Sequence, residues 1–246
     1  MDREKEIEQI ERFLVPVHSS SSTILVHGPG GTGKTTCVKK ILQDLEESTT
    51  ADTVYVDCCE YRTKTAVLVR ILIELGLPVP RKGKPVDVLY EKVERQVKKR
   101  NLIVALDGIN YPGLEKDLVR TIMKLVSRGL SLVLVAVDGA SVDELVEELR
   151  SRYLPVRVHF EPYTVDELEK ILRKRARKAL WGDSYSEDSI RRVAEVSHEF
   201  CGSCRIALVL LGISARAAEK KDTRLTSGVV EGVAEKLELL GKNGEN

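Results

Sequence analysis

Short apolar runs alternate along the chain with amphipathic stretches. Ile7, Ile10 and Leu14 recur at helical spacing and predict a helix over residues 3–15. Thr23–His27 is a run with the character of a buried strand, followed by a glycine-rich turn and a helical pattern over Lys34–Glu47. Further strands are predicted over Thr53–Asp57, Leu102–Asp107, Ser131–Val137 and Val156–Phe160. Helices are predicted between them over Thr65–Leu75, ending at Gly76, and over Val86–Lys99, Leu114–Ser127 and Val142–Arg150. After Pro162 the strand patterns stop, and Asp166–Leu180, Glu187–Phe200, Cys204–Lys220 and Ser227–Leu240 all read as helices.

Five β-α units followed by an all-helical tail specify an α/β fold. The expected architecture is a five-stranded parallel sheet with helices on both faces, over residues 1–162, then a small all-α domain over 163–246. A chain of 246 residues can bury such a core without disulfides or structural metal.

Charge narrows the function. With 39 Lys+Arg against 38 Asp+Glu the net charge is +1, which excludes a protein that coats nucleic acid by bulk charge but leaves room for a local basic patch. The longest apolar runs, Leu102–Leu106 and Leu130–Val137, have strand length, so no membrane span is expected. The charged opening Met1–Lys5 does not resemble a leader peptide, and the expected location is cytoplasmic. Scarce Asn and Gln beside plentiful Lys, Arg and Glu lean toward a thermophile. Five cysteines, an odd count, argue against a disulfide framework. Cys201 and Cys204 have C-x-x-C spacing, but zinc needs four ligands, and Cys58 and Cys59 would have to complete the set by folding.

The strongest chemical signal is Gly28-Pro29-Gly30-Gly31-Thr32-Gly33-Lys34-Thr35, which fits G-x-x-x-x-G-K-[ST] between a strand and a helix. Glycines in such a loop let backbone N–H groups meet phosphate oxygens, and the helix N-terminus adds a favourable dipole. Gly28 through Thr36 are the expected contacts to ATP or ADP, with Lys34 reaching the β and γ phosphates and Thr35 ligating Mg2+. Asp107 ends a buried strand, where ligands of parallel sheets bind, and is the expected second holder of Mg2+, through water. Gly108 follows it, where many ATPases of this architecture carry a water-orienting Glu. General-base help is worth about 10²–10⁴-fold, so turnover is expected to be slow or absent unless Glu115 or Asp138 substitutes. On this reading Gly108→Glu raises the hydrolysis rate.

With these pieces placed, the chain resembles the AAA+ ATPases of the archaeal-type origin-recognition and cell-division-cycle replication initiators, over nearly its whole length. The residues that carry the resemblance are Arg3-Glu4-Lys5-Glu6-Ile7, Val54-Tyr55-Val56-Asp57-Cys58, Phe160-Glu161-Pro162-Tyr163-Thr164 with Glu167-Leu168, and Gly202-Ser203-Cys204-Arg205. The resemblance implies an ATP-binding domain and a helical lid. It implies that Arg205 is the lid arginine that reaches the γ-phosphate, that Arg152 is an arginine finger directed at a neighbouring AAA+ subunit, and that Tyr163 lies near the adenine. Arginine suits both charged roles because it stays protonated and offers a planar fork of donors. The chain departs from the family at Gly108, at Ser203 in place of an Asp, and at the end of the fourth strand, where Asp138 is the nearest polar residue to the family's Asn. On this resemblance the lid is expected to run to about residue 240, without a segment for the family's C-terminal winged-helix domain.

The family also carries a DNA-touching helical insertion between the second and third strands, and residues 62–99 are long enough for it. Arg81, Lys82 and Lys84 cluster at its tip, where two or three phosphate contacts would give weak, salt-sensitive binding to duplex DNA. A second basic run, Lys170 to Lys178, reads as a solvated or protein-facing surface. Aromatic residues are 4% of the chain, too few for a single-strand stacking platform. The function expected is a nucleotide-dependent switch of the initiator type, a weak ATPase at most. The alternative is a regulatory or clamp-loader-like ATPase module whose output is a protein contact.

Overall fold

A computed structural model describes residues 3–14, 21–79, 83, 85–139, 147 and 155–242. They form two compact units, residues 1–28 with 34–160, and residues 29–33 with 161–246.

The first unit is a five-stranded parallel sheet in the order β2-β3-β4-β1-β5. The strands are β1 (Thr23–His27), β2 (Asp52–Asp57), β3 (Leu102–Asp107), β4 (Ser131–Val135) and β5 (Val156–His159). Alternate residues along each strand feed opposite faces. Leu25, Val54, Val56, Val104, Leu106, Leu132 and Leu134 enter one core with α3 (Lys64–Glu74), α4 (Val86–Val97) and α5 (Leu118–Met123). Ile24, Val26, Ile103, Ala105, Val133, Val135 and Val158 enter the other with α1 (Glu4–Leu14) and α2 (Lys34–Ser48). Both faces are covered, which is why the central strands carry apolar runs without a polar alternation. Phe160 is fully buried beneath the Arg3 guanidinium, whose carbon sits 5.6 Å from the ring centroid. Burying such a side chain contributes about 1.5–3 kcal/mol.

α3 and α4, which span most of the 62–99 segment, belong to this core through Val67, Leu68, Ile71, Leu72, Leu89, Val93 and Val97. Its basic tip, Arg81, Lys82 and Lys84, lies outside the described residues. So does most of the helix expected over Val142–Arg150. The helix expected over Leu114–Ser127 is shorter: α5 covers Leu118–Met123, and a 3-10 turn follows at Val126–Arg128. Tyr111-Pro112-Gly113-Leu114 is a turn instead, and Asp117 starts α5 from a left-handed conformation, φ 63°.

The second unit is built on α6 (Val165–Ala179), α7 (Glu187–Glu199), α8 (Cys204–Lys220) and α9 (Ser227–Lys242). Leu168, Leu172, Ile190, Val193, Ala207, Leu210 and Val230 form its core. Thr164 and Glu167 make a reciprocal capping box at the start of α6, which satisfies two otherwise orphaned donors. Within the basic run on α6, Arg173 is bound to Glu169 and Glu187, whereas Lys174, Arg175, Arg177 and Lys178 are exposed.

Candidate functional site

The phosphate loop joins β1 to α2 at the C-terminal edge of the sheet. Lys34 opens α2, is buried, and donates from Nζ to Gly28 O at 2.7 Å. The next residue, Thr35, is exposed and donates from Oγ1 to Asp107 Oδ2 at 2.6 Å. β1 and β3 are separated by β4 in the sheet, so this bond ties the two motif residues across a neighbouring strand. Tyr55 on β2, paired with Ala105 in the sheet, donates its hydroxyl to the same carboxylate oxygen at 2.8 Å. Burial first, and then the Asp107 charge, push the Tyr55 hydroxyl well above its ordinary pKa, so it stays a donor. Thr36 is exposed one position further along α2.

The crest of the loop, residues 29–33, belongs to the helical unit. There Cys204 N donates to Gly31 O at 3.1 Å. Gly31 has φ +81°, and a Cβ on it would stand 2.0 Å from Ser203 Oγ, so only glycine admits this approach. The same position is 3.2 Å from the Arg205 Cβ, which puts Arg205 beside the loop with its side chain exposed. Thr32 Oγ1 closes the loop onto Pro29 O at 2.9 Å. Tyr163 is buried, and its hydroxyl abuts Gly33, where a Cβ would meet it at 2.6 Å. The structure therefore brings Tyr163 to the phosphate loop itself. Its backbone is fixed by Gly202 O, which accepts from Tyr163 N at 3.0 Å, and by His198 Nδ1, 3.0 Å from Tyr163 O.

These residues fit a nucleotide with its magnesium. Lys34 supplies a buried ammonium beside Gly28 O, and Thr35 and Asp107, the two expected metal holders, present hard oxygen donors to one another. Arg152 lies outside the described residues.

Gly108 is more constrained than its sequence suggests. Its φ is +78°, its N–H donates to Val135 O at 2.9 Å, and its carbonyl accepts from Tyr111 N at 2.9 Å. A Cβ there would sit 3.2 Å from Cys59 Sγ. The position is a left-handed turn, strained for any L side chain, so Gly108→Glu does not simply return a carboxylate to the site. Neither expected substitute is idle. Glu115 accepts from Lys64 N at 2.6 Å and pairs with Lys64 Nζ at 3.4 Å, serving the start of α3. Asp138 lies 2.8 Å from His27 Nδ1 and 3.0 Å from His159 Nε2. Burial raises the Asp138 carboxyl, but the hydrogen bonds and charges of His27 and His159 lower it by more and hold it below the usual range.

One bracing residue escaped the sequence reading. The Asn110 side chain donates to Val137 O at 2.6 Å and accepts from Val137 N at 3.2 Å. It ties the turn after β3 to the chain leaving β4. An Asn three residues past a strand carries no sequence signal of this role.

The AAA domain family matches residues 17–153, more than half of the chain. The Cdc6 AAA+ ATPase-type lid domain matches residues 169–234. The chain belongs to the AAA+ family. This AAA+ chain is 30% identical over 257 residues to the ORC1-type DNA replication protein of Thermococcus kodakarensis, covering 96% of this chain and 62% of that protein. It is 31% identical to the protein of the same name from Pyrococcus furiosus, covering 96% and 61%. The chain thus spans about three fifths of the length of these relatives. Among solved structures it is similar to the Aeropyrum pernix Orc1 protein in complex with DNA, with a TM-score of 0.78, 27% identity and coverage of 96% of this chain and 65% of that one. It is also similar to Cdc6p of Pyrobaculum aerophilum, with a TM-score of 0.80, 25% identity and coverage of 95% and 66%. The five-stranded parallel sheet and the helical domain are the AAA+ core and lid. Among the described residues no helix is long and apolar enough to cross a membrane.

Proposed function

We propose that this AAA+ chain is an ATP- and ADP-binding switch of the replication-initiator type, with slow turnover. The observation that carries the reading is the Thr35–Asp107 hydrogen bond, at 2.6 Å, directly beside a left-handed Gly108. It joins the loop threonine to the strand-end aspartate where a nucleotide's magnesium would be held, and the next position offers no carboxylate to orient water. Magnesium bound by Thr35, and through water by Asp107, would neutralise charge on the phosphate oxygens. Lys34 binds the β and γ phosphates. Tyr55 keeps the Asp107 carboxylate oriented. Arg205 reads the γ-phosphate from the lid side of the loop, and Tyr163 holds the loop at Gly33. The binding energy therefore goes into two nucleotide-dependent states, which a ligand shifts only by its differential affinity.

The names of the relatives support replication initiation as the setting. In this reading Arg152 reaches the nucleotide of a neighbouring subunit, and Arg81, Lys82 and Lys84 touch duplex DNA. Duplex affinity across a salt series tests the latter. If changing the three cations to Ala leaves affinity and salt slope untouched, they are not DNA contacts. For the core reading, ATP and ADP affinity with Mg2+ is measured beside steady-state hydrolysis. Tight binding with slow turnover supports the switch, and fast turnover contradicts it.

A further inference from the structure

Three ligand-bearing side chains meet at the C-terminal ends of three adjacent strands. His27 ends β1, His159 ends β5, and Asp138 lies three residues beyond β4. The sheet places β1 between β4 and β5. It thereby brings together residues 111 positions apart in sequence. His27 Nδ1 is 2.8 Å from Asp138 Oδ1, and His159 Nε2 is 3.0 Å from Asp138 Oδ2. The two imidazoles are tilted at 39° with centroids 4.8 Å apart, and one ligand atom from each of the three residues lies within 4.8 Å of the others. Among the described residues this is the one three-ligand group, and it contains no cysteine.

The geometry points to a divalent transition-metal site made by His27, Asp138 and His159. Two imidazole nitrogens and one carboxylate oxygen are a borderline donor set, suited to zinc and its neighbours and poorly suited to magnesium. Zinc–nitrogen and zinc–oxygen bonds near 2.0–2.2 Å need ligand atoms about 3–3.5 Å apart, and the His–Asp separations are already close to that. A hydrogen-bonded carboxylate between two imidazoles needs only a small outward movement to admit the ion. The imidazoles bind it through lone pairs, so a proton on His27 Nδ1 or His159 Nε2 moves to the other ring nitrogen or leaves. Exposure of the His159 and Asp138 side chains, 38% and 39%, leaves an entry path and room for water as a fourth ligand.

The site adjoins the phosphate loop through the backbone. Gly28 follows His27 directly, and its carbonyl accepts from both Asp138 N, at 3.2 Å, and Lys34 Nζ, at 2.7 Å. A bound ion fixes the strand ends on either side of the loop's first residue. It is therefore a stabilising site, with no redox step. The inference does not depend on the nucleotide reading, and its test contains no nucleotide.

Metal-free full chain is titrated with Co2+ in the absence of nucleotide. The expected result is one equivalent bound, visible d–d bands without a thiolate charge-transfer band, and a rise in Tm. Asp138→Asn and His159→Ala should each weaken binding about tenfold or more, and Cys201→Ser with Cys204→Ser should leave it unchanged. Side-chain NMR of the unmutated chain gives a second readout, in which the ring signals of His27 and His159 alone should shift and broaden. Absence of saturable binding, a thiolate band lost in the cysteine variant, or unaffected His27 and His159 signals would overturn the assignment.

Discussion

The hydroxyl of Thr35 donates to the carboxylate of Asp107 at 2.6 Å, with Tyr55 holding the same oxygen at 2.8 Å. The pair joins the phosphate loop to the end of β3. Replacing Asp107 by Asn keeps a hydrogen-bonding side chain but removes the charge. The expected outcome is retained folding with the Mg2+ dependence of ATP affinity largely lost. Calorimetry with and without Mg2+ measures it, and an unchanged metal dependence would mean that Asp107 has another role.

Lys34→Ala removes the ammonium that contacts Gly28 O and, on the proposed reading, the β and γ phosphates. A hydrogen bond to a charged group is worth about 1.5–3 kcal/mol. ATP affinity should fall about 10- to 100-fold, read by the loss of the nucleotide-induced rise in Tm. The comparison must be made against the variant's own unliganded Tm, because the lysine is buried.

Gly108→Glu should destabilise the chain by about 1 kcal/mol or more, because the left-handed conformation at φ +78° penalises a Cβ. Turnover should not rise. Gly108→Ala separates the causes: it should show the same loss of stability in denaturant melts without adding a carboxylate. A stable, faster Gly108→Glu would show that the turn rearranges.

Arg205→Ala should leave ADP affinity nearly intact and weaken ATP selectively, since only the γ-phosphate distinguishes the two ligands. Competition binding with both nucleotides reads this directly. An equal loss for ATP and ADP would assign Arg205 to the loop's structure, where its Cβ lies beside Gly31.

Thiol reactivity should divide by burial. Burial raises Cys37 to about 11 against the opposing charge of Arg3, and raises Cys58 to about 12 with further help from Asp107. Both stay protonated through pH 8–9 and should resist alkylation while the chain is folded, whereas exposed Cys201 reacts. The sign of the pH effect follows. The folded chain resists ionising these thiols, so their contribution to stability is complete below pH 9 and is lost as the pH rises through 11 and 12. Mass spectrometry of labelled peptides, taken on either side of the unfolding transition, checks the assignment.

The parts legible in sequence were those written in consecutive residues. β1 and β3 are buried on both faces and show uninterrupted apolar runs. The phosphate loop is one contiguous motif in which Gly28, Gly31 and Gly33 take positive φ and leave no room for a Cβ, whereas Gly30 faces open space. Thr164 and Glu167 entered the sequence analysis only as part of the family resemblance, and the structure makes them the capping box of α6. What remained hidden depends on topology or on backbone conformation. The helix expected from Leu114 yields to a turn and a left-handed Asp117, which outweigh the apolar spacing. Asn110 finds Val137 only because β3 and β4 are neighbours. His27, Asp138 and His159 look like three unrelated strand-end residues until the sheet order sets β1 between β4 and β5. Gly108 announced a missing carboxylate in sequence, but not the left-handed turn that prevents its simple replacement.

On the proposed function the site binds nucleotide tightly yet lacks a competent water-orienting group. The decisive measurement is steady-state hydrolysis at saturating ATP and Mg2+, on the same preparation whose ATP and ADP affinities are measured. The switch reading expects saturable binding of both nucleotides and turnover well below about 1 s⁻¹. Turnover of that order or faster, or no detectable nucleotide binding, would contradict it.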